Sequence, residues 1–556
     1  MEGSTCLCLT TYSVPQKKGN RRIRRTVTSK SNTRRHNLGH NLFLTHRQEN
    51  SKYFPLTSIN TLPNEVLLEV FDQYRSVTAG KRTGSQGWWY TLVHICRRWR
   101  QLVFASSMRL NLQLRCTFGT PVDDMICYSP PFPLVLDYGP RILKTWTGED
   151  ELGLLFALQH HLPRVTEIVL SAPDSTLAKL ITSMTEAAPR LETLILHSQT
   201  LEIVLPKQFL EGGGHGAPQL RHLILTGVAL SPLQPLLSSS ATSLVSLVLE
   251  RIPSSAYFSP DTLITHMRTM PHLQILSIGF LSAIPRPGFR GERALPPGNN
   301  AAARTELPAL TQLIYRGVSA YIEALLSQIR SPRLADLDIA FFHQLTLDIP
   351  RTSAFLRDLD PTTRAARIDF DFAHPSSAAA HIALSAPTSS PDITLSVSCS
   401  RFDFQVAAAA QLCAGGLSIM LEHTEELVLA FHHGSAAAAA EDEDVDTRLW
   451  RGILAPFRHV VTLRVHVALV ADVERALRED QLMLLPELRE LVLLLDDDGS
   501  DEKALESATA AFATFVDERE RAGCSVKIHS QDLSRLAESE SGEPTRIRLL
   551  LLEQRH

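Results

Sequence analysis

One short phrase recurs along this chain and limits its possible folds more than any other feature. It reads APRLETLILHS at 188–198, APQLRHLILTG at 217–227, MPHLQILSIGF at 270–280, SPRLADLDIAF at 331–341 and LPELRELVLLL at 485–495. Looser copies stand at 162–172, 241–251, 307–317 and 457–467, and RIDFDF, DITLSV and EELVLAF supply further strand-like copies. The common frame is Pro-x-Leu-x-x-Leu-x-Leu, a turn followed by a strand whose alternate side chains share a face. The last apolar position falls at 170, 196, 225, 249, 278, 315, 339, 370, 397, 429, 465 and 493, a period of about 29 residues. Helix-compatible stretches lie between copies, such as Leu177-Leu180-Ile181-Met184 and Ala320-Glu323-Ala324-Ser327. Strand and helix at a fixed period predict an α/β solenoid with parallel strands on one face and helices on the other. No copy is long enough to bury its own apolar face, so stacking must supply the stability.

The period and frame resemble leucine-rich repeats. The Asn or Cys usual three residues beyond the last strand apolar is replaced here by Gln199, Val228, Ile252, Leu281 and Val318. A polar ladder along that turn is therefore missing, and an irregular array with those residues packed as hydrophobes is expected. We place the solenoid at 161–529, with surface insertions at 284–306, 374–391 and 434–447. The second is rich in Ala, Ser and Pro, and the third runs polyalanine into Glu441-Asp442-Glu443-Asp444. A helix is predicted over Lys503–Glu520, with Leu505, Ala508, Phe512, Phe515 and Val516 on one side. A last strand at Cys524–His529 and a polar tail at 530–556 complete the chain.

Residues 58–106 carry a different, helical pattern. Pro63 suits a first helical turn, where its missing N–H is harmless, and Val66, Leu67, Val70 and Phe71 then share a face. A polar stretch from Ser76 to Gly87 separates this helix from a second, with Leu92, Cys96, Trp99 and Val103 stacked along it. The strings L-P-x-E-V-L-L-E-V-F and L-V-H-I-C-R-R-W-R-Q-L-V together resemble an F-box, of the type common in basidiomycete fungi. The stretch 106–138 is similar to the segment that such proteins carry directly after the motif, and 107–160 reads as a connecting segment. This resemblance implies docking onto the Skp-type adaptor of a cullin–RING ubiquitin ligase. On the matching positions, Leu62, Pro63, Val66, Leu67, Val70, Val93, Cys96 and Trp99 would form the docking surface. The loop between the helices is longer than usual for the family, and Trp88-Trp89 open the second helix, which leaves the first helix's orientation open. A helical unit of this size is too small to stand alone.

Charge is unevenly spread. Residues 1–55 hold 11 Lys or Arg against Glu2 and Glu49, whereas the rest holds 44 basic against 57 acidic residues. The arm at 1–57 reads as a disordered basic segment, with nuclear or mitochondrial targeting as alternatives. The acidic body argues against nucleic acid as its partner. Cysteines at 6, 8, 96, 116, 127, 399, 413 and 524 form neither a C-x-x-C nor a zinc-ligand spacing, which suggests a reducing cytoplasmic or nuclear compartment. No apolar run is long enough for a membrane span.

Motifs that carry chemistry are scarce. Gly80-Lys81-Arg82-Thr83 lacks the upstream glycine of a phosphate loop, and Gly212-Gly213-Gly214-His215-Gly216 has no dinucleotide-binding frame. His160-His161 and His432-His433 are adjacent, not at the i, i+4 spacing that a metal needs on one helix face. No catalytic residue, metal or cofactor is expected. The expectation is a non-catalytic substrate receptor of a Skp–cullin–F-box ligase, binding the adaptor through its helices and an unidentified target protein through the solenoid. The alternative is an F-box interaction protein outside any ligase. Glu192, Ile195, His197, Arg221, His222 and Gln274 are candidate target-facing positions.

Overall fold

In the computed structural model the described residues are 59–79, 88–140, 145–199, 203–212, 216–230, 235–282, 304–359, 363–372, 378–385, 392–432, 445–479, 484–495 and 502–532. The basic arm, the Lys81 loop, the triglycine-histidine stretch at 213–215, His433, the acidic run at 441–444 and the tail beyond Asp532 lie outside them. The chain divides into two compact units, Met1–Pro63 and Asn64–His556. In the first, the described residues form a short 3-10 turn, Ile59–Thr61, with the Leu62 amide donating to the Ile59 carbonyl at 3.4 Å.

The second unit opens with three helices: α1 at Asn64–Ala79, α2 at Trp88–Val93 and α3 at Arg97–Ala105. The single second helix expected from the sequence is thus two. Cys96 adopts extended backbone (φ −157°, ψ 168°) and caps α3, its Sγ accepting from the Trp99 amide at 3.5 Å. An apolar stripe at helical spacing continues across the break, so periodicity alone conceals it.

Among the described residues, sixteen strands then join one sheet. They are β1 Leu114–Thr117, β2 Leu134–Tyr138, β3 Val165–Ser171, β4 Thr193–His197, β5 His222–Thr226, β6 Ser246–Ile252, β7 Ile275–Phe280 and β8 Gln312–Gly317. There follow β9 Asp336–Phe342, β10 Ala365–Asp371, β11 Ala379–Ser385, β12 Asp392–Ser398, β13 Glu426–His432, β14 Thr462–His466, β15 Glu490–Leu495 and β16 Lys527–Asp532. All twelve strand positions read from the repeat lie on strands. Helices between them, such as Asp174–Ser183 and Ser319–Leu326, cover one face. The first buries Leu177, Leu180 and Ile181 as read; the second buries Tyr321, Ile322, Leu325 and Leu326 instead of the stripe through Ala320 and Ala324. The larger apolar side chains won that choice of face.

Backbone bonding between copies is regular one residue ahead of each strand. The Glu192 amide donates to the Thr166 carbonyl, Arg221 to Glu192, Val245 to Arg221, Gln274 to Val245, Thr311 to Gln274 and Ala335 to Thr311, at 2.8–2.9 Å. Alternate strand side chains such as Leu223, Leu247, Leu276, Leu313 and Leu337 stack beneath this ladder, fully buried.

The structure corrects several boundaries. The sheet begins at β1, inside the segment read as a connector, because LRCT and LVLDY carry strand alternation without the leading Pro-x-Leu turn. The insertion at 374–391 contains β11, whose Ala380, Ile382 and Leu384 are buried; the small residues around them disguised a strand as a loop. β11 also breaks the expected order. β9 pairs with β12, then come β11, β10 and β13, and the two pairings made by β11 are antiparallel while all others are parallel. The last strand lies at Lys527–Asp532, three residues later than expected. Val228 and Ile252 pack inward as anticipated, whereas Leu281 is exposed. Among the described residues no helix is long and apolar enough to cross a membrane.

The end of the sheet is closed by the helix Glu502–Arg521, which buries Phe512 and Phe515. Its Arg519 is almost fully buried and donates to the carbonyls of Leu484, Leu485 and Pro486 in the turn before β15. Arg519→Ala should leave those carbonyls short of donors and lower unfolding stability by about 2–4 kcal/mol, read from the urea midpoint.

Candidate protein-docking site

The helical unit separates its apolar residues into two faces. Leu67 and Phe71 of α1 are fully buried; the Phe71 ring meets the Trp99 ring edge-on at 4.8 Å, and Leu92, Val93, Trp99 and Val103 complete this core. Val66, Val70 and Val77 take the other side of α1, within about 40° of one another around the helix axis. They are 43%, 43% and 67% exposed, with Tyr74 beside them and Ile95, 54% exposed, in the α2–α3 turn. Large apolar side chains left in water along one helix face are a common mark of a protein contact.

This arrangement sorts the residues expected to dock. Val66 and Val70 are presented to solvent. Leu67, Val93 and Trp99 are core residues and cannot be contact atoms; they hold α1 in place. Cys96 is half-buried and caps α3. Leu62 and Pro63 belong to the first unit, one half-buried and the other exposed. Sequence reasoning missed Tyr74, Val77 and Ile95, although the i, i+4, i+11 spacing of Val66, Val70 and Val77 marks a second stripe.

The helices are joined to the sheet by an aromatic contact. The Trp89 ring lies 5.7 Å from Phe132, just ahead of β2, and 6.3 Å from Phe104 of α3; Phe104 and Phe132 are 5.7 Å apart. Arg164, ahead of β3, donates from Nη2 to the Phe132 carbonyl at 2.8 Å and so fixes that segment. Arg75 of α1 donates to the Leu110 carbonyl at 3.3 Å, and Arg109 pairs with Glu69 and Asp72 at 3.4 and 3.2 Å. These exposed pairs contribute little by themselves; the buried aromatics dominate.

The sheet face away from the helices is the second candidate surface. Ile195, His197 and His222 lie on it half-buried, while Glu192, Arg221 and Gln274 are exposed in the turns just before their strands. Burial, reinforced by Arg251 at His197 and by Arg221 at His222 and opposed by Asp174 and Glu192, pushes both imidazoles below their ordinary range. His160 and His161 pack against the Phe156 ring.

Where the strand order inverts, this face carries a polar network. Arg367 Nε lies 2.9 Å from both carboxylate oxygens of Asp369, and His432 Nε2 lies 3.0 Å from Asp369 Oδ1. Burial opposes the Asp369 carboxylate, but its bonds to His432 and Arg367 and their charges outweigh it and hold the carboxyl below its usual range. The bond to Asp369 raises the His432 pKa against the effect of burial, with Asp371 helping and Arg367 opposing. His432 therefore adds stability that is full below its unfolded-state pKa and is lost as pH rises through the raised one. Asp369 adds stability that is present above its unfolded-state pKa and is lost as pH falls through the lowered one.

No protein-family model matches the chain, and the comparison with curated proteins finds no match. Among solved structures the chain is similar to LegL7, a leucine-rich repeat-containing protein of Legionella pneumophila, at 11% identity, over 72% of this chain and 98% of that one, with a TM-score of 0.24. The solenoid assignment rests on the sheet topology above.

Trp89→Ala should lower stability by about 3–4 kcal/mol through the emptied aromatic joint, whereas Val66→Ala should change it by less than about 0.5 kcal/mol; denaturant titration distinguishes them. As pH rises from about 6.5 through the raised His432 pKa, the wild-type urea midpoint should fall relative to that of Asp369→Asn, in which His432 has lost the carboxylate that raises its pKa.

Proposed function

We propose that this chain is a protein-interaction subunit of F-box type, docking an adaptor of the Skp type through α1–α3 and a target protein through the sheet face away from the helices. One observation carries this reading. The helix that carries E-V-L-L-E-V-F keeps a second apolar stripe, Val66, Val70 and Val77, exposed to solvent. A folded chain gains nothing from leaving that stripe in water, and a partner that covers it gains about 25 cal/mol for each Å² of apolar surface buried.

In this reading Val66 and Val70 touch the adaptor, and the resemblance assigns Leu62 and Pro63 to the same partner. Leu67, Val93, Cys96 and Trp99 shape the helices from behind. The cullin and its associated enzymes perform ubiquitin transfer, and the present chain raises the local concentration of the target. It needs no cofactor or catalytic residue, and its setting is the cytoplasm or nucleus. The sheet face away from the helices, half-buried at Ile195, His197 and His222 and buried at Ile224, Val248 and Ser277, is the surface on which a solenoid of this kind would hold a partner; the target itself stays unnamed.

A surface substitution tests docking more cleanly than deletion, because removing residues 58–106 would strip Phe132 and Leu110 of their cover. In Val66→Asp/Val70→Asp, two carboxylates would be forced into an apolar contact. Capture of purified Skp-type adaptor should weaken by at least about 100-fold, near 2.7 kcal/mol, with the urea midpoint little changed. Undiminished capture would overturn the assignment. Recovery of cullin with the adaptor supports the ligase reading; adaptor without cullin supports an interaction protein outside it.

A further inference from the structure

We infer that the docking face is built for an acidic partner surface, recognised by cations at the α2–α3 turn; this rests on the adaptor reading above. From Trp88 to Ala105 the chain has Arg97, Arg98 and Arg100 and no Asp or Glu. Arg97 and Arg100 are exposed, and the exposed Ile95 stands in the turn immediately before them. The Arg98 guanidinium donates to Asn64 Oδ1 at 2.8 Å, which ties this turn to the first residue of α1. Arg100 donates from Nε to the Val93 carbonyl at 2.9 Å, bridging the break between α2 and α3 while its charge stays at the surface.

The nearby carboxylates do not neutralise this end. Asp72 faces Arg75 at 3.6 Å and Arg109 at 3.2 Å, and Glu69 faces Arg109 at 3.4 Å. Glu69 and Asp72 of α1 are thus occupied by arginines other than those of α3, and Glu65, the remaining acid of α1, is in ion-pair contact with neither Arg97 nor Arg100. Among the described residues, neither Arg97 nor Arg100 has a carboxylate within ion-pair distance. The remainder of the body is acidic, 44 basic against 57 acidic residues beyond position 55, so this cationic end stands against the local trend. An apolar side chain beside Arg97 and Arg100, neither of which faces a carboxylate, fits a protein surface with an apolar contact and a rim of carboxylates. Guanidiniums meet carboxylates with paired, directional bonds. At an exposed rim they act mainly on encounter rate and on salt dependence.

The test measures association of purified Skp-type adaptor with the full chain at about 50 and 500 mM salt, where screening lengths differ about three-fold. The wild-type association rate should fall roughly ten-fold across that range. Arg97→Glu should be several-fold slower at low salt and approach the wild type at high salt, and Arg97→Lys should retain most of the rate. If association ignores salt and Arg97→Glu equals the wild type, while Val66→Asp/Val70→Asp still abolishes binding, the inference falls and the docking site stands. If the adaptor binds none of these chains at either salt concentration, both fall.

Discussion

The lateral bond between one copy and the next is the interaction on which the whole molecule depends. A turn amide ahead of each strand donates to the carbonyl of the equivalent residue in the preceding copy. This relation holds from Thr166 to Ala335 and resumes from Arg364 through Glu425, Val461 and Arg489 to Lys527. A single strand of five to seven residues cannot bury a leucine such as Leu223 or Leu463. Between two neighbours it is fully buried. Stability is then nearly a sum of nearest-neighbour contacts, and the two ends need separate solutions. At the start α1–α3 pack beside β2 through Trp89, Phe104 and Phe132; at the other end Arg519 and the phenylalanines of its helix close the last turns.

That solution at the beginning of the sheet has a functional side. The residues of α1 and α3 that face inward hold the helices to one another, and Trp89 holds them to the sheet. The Val66–Val70–Val77 stripe is therefore carried on a rigid support and not on a flexible tether. In the proposed reading, a partner on that stripe and a protein on the sheet would be held at a restricted separation. Effective concentration is greatest when the spacing between two bound partners matches the distance required.

The repeat was legible because its signal is periodic and its residues are large. Nine of the twelve strand positions follow from the repeat frame and its looser copies, and those at 370, 397 and 429 from strand-like alternation, since each inward apolar side chain has one way to be buried. Legibility failed where burial uses other residues. β1 and β2 lack the turn signature, β11 builds its face from Ala380 and Ile382 among small residues, and the inversion of strand order depends on two hairpins that leave no periodic trace. In the helical unit the motif located the first helix, merged α2 with α3, and did not separate exposed from buried residues. Leu67 and Val66 are adjacent and both apolar, and only the packing of α1 on Trp99 decides which faces water. Cys96 reads as one more apolar position, yet its backbone is extended and its sulfur caps a helix.

Hydrogen–deuterium exchange of the full chain, with and without purified Skp-type adaptor, tests the central claim most directly. Added adaptor should slow exchange in peptides covering 64–79 and 88–97 and leave the strands from β3 onward unchanged. Protection confined to the sheet strands, or no protection at saturating adaptor, would contradict docking through the helices.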